Sequence, residues 1–301
     1  MKKAFIKLHI SIILAGFTGI FGKLITLNEG LLAWYRIALA GLLLLIILSI
    51  TRKLQAISLR QAGPLALAGF FIGMHWIFFY GSIKYANISV GVVCFSLTGF
   101  FTAIVAPLIN KQKFSWSELS LSLLTLAGII LIFSFDTRYR LGIFLGFISS
   151  LLASLFTISN ERLARKHPSE TVLVYSMLGG AVSLIPVLVI YCYWFPSISL
   201  IPSFQDLGYL MILVVFCTVL LYLLQTQVLR QLSAFTVNLS LNLEPVYTII
   251  LAILLYEEDR ELSPAFYTGL GLIMLSVLLQ MLLVIRANKK ARKQVMNEQL
   301  E

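Results

Sequence analysis

Residues 234–256 read AFTVNLSLNLEPVYTIILAILLY, with one charged side chain, Glu244, between Arg230-Gln231-Leu232-Ser233 and Glu257-Glu258-Asp259-Arg260. At 1.5 Å of rise per residue, a helix of that length crosses a hydrocarbon core of about 30 Å. Stretches of the same kind recur at about 6–27, 31–50, 64–84, 88–109, 118–135, 141–160, 171–194, 207–229 and 265–286. Ten spans leave little of the 301 residues for a soluble part. Composition agrees, since 12% of the residues are charged and 59% hydrophobic, against about 25% charged in an ordinary soluble domain. Disorder and collagen are excluded, and the alternating segments of ~10 residues that build outer-membrane barrels are missing. The pattern predicts an all-α integral membrane protein. Met1-Lys2-Lys3-Ala4 starts like a secretory signal, but the apolar run continues past Phe21 without a small-x-small site, so it reads as the first spanning helix.

The net charge of +10 belongs to topology rather than to a nucleic-acid partner. With a cytoplasmic N-terminus, seventeen Lys and Arg fall inside: Lys2, Lys3, Lys7, Arg52, Lys53, Arg60, Lys111, Lys113, Arg162, Arg165, Lys166, Arg230, Arg286, Lys289, Lys290, Arg292 and Lys293. Only Lys84, Arg138, Arg140 and Arg260 fall outside. Both termini are therefore expected in the cytoplasm, which requires an even number of spans. Cys94, Cys192 and Cys217 lie in apolar segments without metal-ligand spacing, so neither a disulfide framework nor a metal site is expected. No Walker-type phosphate loop is present, and no cofactor is implied.

Shifting the chain by 146 residues lays Lys84-Tyr85-Ala86-Asn87 on Arg230-Gln231-Leu232-Ser233, and Asn110 to Ser117 on Tyr256 to Ser263, without a gap. Identities are few, among them Phe70/Phe216, Leu97/Leu243, Thr102/Thr248 and Ala106/Ala252, so the loop register carries the argument. Ten spans then divide into two five-helix repeats, residues 1–137 and 138–287, with a basic tail at 288–301. A repeat with an odd number of spans enters the membrane in opposite senses. Inverted repeats of this kind are how many secondary transporters build a midplane site.

The stretch Leu232-Ser233-Ala234 through Asn242-Leu243-Glu244-Pro245-Val246, then Leu254-Leu255-Tyr256-Glu257-Glu258 and Gly269-Leu270-Gly271-Leu272-Ile273, resembles the second repeat of the EamA-type family of the drug/metabolite transporter superfamily. Trp34-Tyr35-Arg36, with Ala38 and Ala40, is similar to that family's second helix. The Glu-Pro pair becomes Thr98-Gly99 in the first repeat, and the family's Gly-Glu after the ninth helix is Glu257-Glu258 here. The resemblance implies an inner-membrane exporter of metabolites or drugs with ten helices, a central cavity and cytoplasmic ends.

Glu244, about ten residues into the ninth span, would cost about 2.5–3.5 kcal/mol to insert uncompensated, so it is expected to be paired, protonated or wet. It suits a proton site or cavity anchor, and equally a structural carboxylate bonded to a neighbouring helix. Pro245 beside it removes a backbone donor, and the freed carbonyl either serves the solute or goes with a simple bend of the helix. Lys23 and Arg36 lie toward the outer ends of their spans, where they either snorkel to the headgroups or form an electropositive vestibule. His75 and Phe79 share one face of the third span, and Trp76 and Tyr80 an adjacent one. Such a surface suits a cavity for a flat or amphipathic solute, and also plain packing. Ser96, Gln225, Gln227, Asn238 and Asn242 add uncharged hydrogen-bonding groups. The glycine strips Gly16/Gly19/Gly22, Gly69/Gly73 and Gly142/Gly146 let helices approach closely.

An enzyme is the competing class. Phe71-x-x-x-His75 with Glu257-Glu258-x-Arg260 superficially resembles a glutamate-type intramembrane protease, but the order is reversed and no later intramembrane His follows. The sequence therefore predicts a secondary transporter, an exporter of small metabolites such as amino acids or related compounds, working by alternating access around a midplane cavity. Its partners are a small-molecule solute and the lipid bilayer, and the reading is compatible with a homo-oligomer.

Overall fold

The computed structural model describes residues 2–111, 113–134, 139–194, 199–257 and 263–298. Arg138, Glu258 and Arg260 lie outside them, as do the side chains of Arg286 to Lys293. Among the described residues, nine helices are long and apolar enough to cross a membrane: α1 (Lys3–Leu24), α2 (Glu29–Ile50), α3 (Leu59–Tyr85), α4 (Ile88–Asn110), α6 (Arg140–Ala164), α7 (Ser169–Trp194), α8 (Phe204–Leu229), α9 (Ala234–Tyr256) and α10, apolar over Pro264–Leu283. Between α4 and α6 lies the shorter apolar α5 (Trp116–Ser134). The backbone of α10 stays helical as far as Glu298. These are the ten helices the apolar runs predicted, in a multi-pass membrane protein.

Side-chain oxygens mark several helix starts. Asn28, Asn87, Ser203 and Ser233 each accept from a backbone N–H of the first turn, satisfying a donor that has no partner within the helix. Asn87 and Ser233 open α4 and α9, and they are the residues the 146-residue shift superposes. The correspondence continues along both helices. α4 is interrupted at Ser96 and α9 at Asn242-Leu243, and Lys111 and Glu257 end them with left-handed φ of 52° and 54°. The causes of the two breaks differ. Pro245 has no N–H to donate and sits in the first turn of the restarted helix. In α4 the Thr98 hydroxyl takes the Phe95 carbonyl at 2.5 Å, competing with the helix ladder.

The helix pairings are the same when the two repeats are exchanged. The first half of α4 lies on the second half of α9, and the second half of α4 on the first half of α9. The pairs α2 with α7 and α5 with α10 join equivalent helices, while α3 against α6 is mirrored by α8 against α1. Backbones meet where side chains vanish. At the α3/α7 crossing, a Cβ on Gly180 would lie 2.6 Å from the Gly69 carbonyl oxygen, and one on Gly69 would collide with the Ser176 carbonyl oxygen. Gly69→Ala is therefore expected to force these helices apart at a cost of about 1–3 kcal/mol, read as a lower melting temperature in detergent.

Candidate solute cavity

A small cavity of about 40 Å³ lies between the repeats, with room for a few waters and no metabolite. Five helices supply its functional groups: Thr18 from α1, Arg36 from α2, His75, Trp76 and Phe79 from α3, Tyr222 and Gln225 from α8, and Glu244 from α9. Phe95 and Phe156 complete an aromatic wall. The ring of Phe79 stacks on His75 with centroids 5.7 Å apart, and Phe95 stands 5.3 Å from the same imidazole.

His75 is held in one orientation. Its Nδ1 is 3.0 Å from the Ser149 carbonyl oxygen, which can only accept, so the network assigns the proton to Nδ1. The Ser149 hydroxyl, 2.8 Å from Nδ1, in turn donates to the His75 carbonyl at 3.1 Å. Nε2 is the ring atom left to face other partners.

Arg36 does not snorkel. It is 1% exposed and reaches inward across α3 and α8. Its Nε donates to Thr218 Oγ1 at 2.8 Å, Nη1 to the Tyr80 hydroxyl at 2.8 Å, and Nη2 to the Cys217 carbonyl at 2.5 Å. The Trp76 ring covers its face with a centroid 3.9 Å from Cζ, a favourable cation–π arrangement. Glu244 is 4% exposed and begins the second half of α9, immediately after the break. No ion pair joins Arg36 to Glu244 within 4.0 Å, so a guanidinium and a carboxyl group border one cavity without touching.

The remaining sequence candidates lie elsewhere. Tyr80 is buried behind the lining as the partner of Arg36. Asn238 donates to Thr102 Oγ1 at 2.7 Å between α9 and α4, and Thr102 bonds Ser154 Oγ at 3.0 Å. Ser96 and Asn242, the two residues at the helix breaks, are buried outside the lining. Lys23 is exposed and places its ammonium 4.2 Å from the Tyr256 ring centre. Gln227 accepts from Lys7 at 2.5 Å, linking α1 to α8.

Sequence reasoning missed Thr218, Tyr222 and Phe95. Only Tyr222 carried a signal, the three-residue spacing to Gln225 that puts both on one face. A second pocket, of about 600 Å³, was also missed; it lies where α1 ends and α2 begins, beside the end of α3 and the start of α8. There Thr26 donates through its backbone N–H and hydroxyl to Asp206 at 2.8 and 2.7 Å, and the Tyr191 hydroxyl donates to Glu29 at 2.6 Å. Lys84 donates to the Leu27 carbonyl, so the α1–α2 connection is tied to α3, α7 and α8. In the sequence, Asp206 and Glu29 look like acids favouring a helix start, and Lys84 like a topology charge.

The family model for the EamA-like transporter family matches residues 2–134 and again 140–282. The chain belongs to that family. It is similar to the uncharacterized transporter YyaM of Bacillus subtilis (strain 168), with 28% identity over 264 residues, 81% of this chain and 85% of that one. An uncharacterized transporter of Haemophilus influenzae is 25% identical over 237 residues, 74% of each chain. A crystal structure superposes with a TM-score of 0.67 over 94% of this chain and 98% of the other, at 15% identity, and so shares the fold. This EamA-like chain is accordingly a multi-pass membrane transporter.

Proposed function

We propose that the chain is a secondary exporter of small metabolites such as amino acids or related compounds, working by alternating access. The observation that carries this reading is the central cavity, where a buried guanidinium, a carboxyl group with no ion pair among the described residues and an aromatic wall converge from both repeats. A carboxylate with an adjacent ammonium complements Arg36 and Glu244, and an apolar side chain complements Phe79, Phe95 and Phe156. At about 40 Å³ the cavity must widen to admit such a solute. Broken α4 and α9, packed crosswise at the centre, provide places where each half-helix can tilt without melting the other.

The moving units are taken as residues 1–137 and 138–287, with 288–301 as a basic tail, and the membrane as a cell inner membrane with both termini cytoplasmic. The Lys and Arg distribution supports that orientation, and the family resemblance supports the outward direction. The test is uptake of a labelled amino-acid and metabolite panel into proteoliposomes, with and without a pH gradient. Saturable transport of at least one small zwitterion, absent from protein-free vesicles, is the expected result. Passage of none of the panel in a folded, reconstituted protein would overturn the substrate class.

A further inference from the structure

The eighth helix is irregular next to the cavity. From Val215 to Leu220 it winds as a π-helix, and Thr218 Oγ1 donates to the Leu213 carbonyl five residues back at 2.9 Å. Such a turn inserts one extra residue, which rotates everything after it by about 100° relative to an uninterrupted α-helix. Leu221, Tyr222 and Gln225 follow directly, and all three line the cavity. The wide turn therefore decides which side chains of α8 a solute meets.

A π-turn in lipid persists only if its displaced backbone groups find partners. Here the partner is Arg36. Its planar fork takes the Cys217 carbonyl and the Thr218 hydroxyl together, two consecutive residues inside the turn, at 2.5 and 2.8 Å. The other side of the fork is fixed by the Tyr80 hydroxyl at 2.8 Å, and its face by Trp76 at 3.9 Å. All three partners of the guanidinium in α3 and α8 are thus set by directed contacts. A lysine ammonium, a point charge on a flexible stem, cannot span Tyr80, Thr218 and Cys217 at once.

We propose that Arg36 is a positioning residue, the pin that holds the π-turn of α8 and thereby presents Tyr222 and Gln225 to the cavity, with Trp76 and Tyr80 as its clamp. For the turn the planar fork is what matters, and charge alone does not suffice. The inference rests on the reading of the central cavity as the solute path only for its consequence, solute selectivity. The cavity geometry can be measured without any solute.

The experiment uses the full-length protein with Cys94, Cys192 and Cys217 replaced by alanine, and single cysteines at Gln225 or, as a reference on α3, at Phe79. Reaction with a small aqueous thiol reagent is timed in the parent, in Arg36→Lys and in Thr218→Val. Both variants should slow labelling at position 225 by about tenfold while leaving position 79 within about twofold of the parent. Amide hydrogen exchange over residues 213–221 should rise in both. If Arg36→Lys labels at 225 as the parent does, charge suffices and the pin is refuted. Equal losses at 79 and 225 with a lowered melting temperature would reduce Arg36 to a generic core residue, which also overturns the proposal. Failure of the transport panel would leave this labelling pattern untouched, so the two readings fail separately.

Discussion

Glu244→Gln should retain folded protein and bind an ammonium-bearing solute more weakly, while abolishing any transport driven by a pH gradient. The side chain is 4% exposed, borders the cavity and accepts no hydrogen bond from the protein among the described residues. An amide keeps the shape of the carboxyl but cannot exchange a proton, so the substitution separates titration from volume. Solute exchange between vesicles at equal pH should continue, because that process needs no net proton movement. The measurement is the ratio of gradient-driven to equilibrium-exchange rates in proteoliposomes. An unchanged ratio removes Glu244 from coupling, and loss of folded protein assigns it to holding the start of the second half of α9.

His75→Ala should weaken solute binding about tenfold, in keeping with the roughly 1–3 kcal/mol at stake when a buried polar partner is lost. The ring is fixed by Ser149 and flanked by Phe79 and Phe95, so its Nε2 is oriented rather than mobile. Phe79→Ala should also weaken binding, most for solutes with an aromatic or branched side chain. Leu278→Ala, at a site 53% exposed on the outer surface of α10, should change neither affinity nor expression. Equilibrium binding to purified protein checks all three. Identical affinities for His75→Ala, Phe79→Ala and the parent would place both residues in dry packing and remove them from the solute path.

The spans and the inverted repeat were legible in the sequence because the bilayer imposes them locally. Each run of about 20 apolar residues must satisfy its own backbone as a helix, whatever its neighbours do. The register between repeats was legible too: Asn87 and Ser233 superpose under the shift read from the loops, and so do Ser96 and Asn242 at the breaks and Lys111 and Glu257 at the helix ends. Glu244 stood out because an acid in an apolar run has no local explanation.

Side-chain partners were another matter. Arg36 read equally as a snorkelling cation or a vestibule charge, because the sequence shows its depth in the span but not which way α2 is rotated or what α3 and α8 offer. Asn238 and Asn242 share a helical face on paper, yet Asn238 turns to Thr102 while Asn242 occupies the break in α9. The π-turn at Val215–Leu220 left no mark in composition, since its residues are ordinary helix material and its stabilising donor lies 182 positions away. The sequence alone determined the helices, their number and their pairing into repeats, since these follow from local hydrophobicity and the thickness of the membrane. Tertiary structure alone decided which faces meet at the cavity and which charge is held by what, because helix rotation and the partners of buried polar groups are set by packing between segments far apart in the chain.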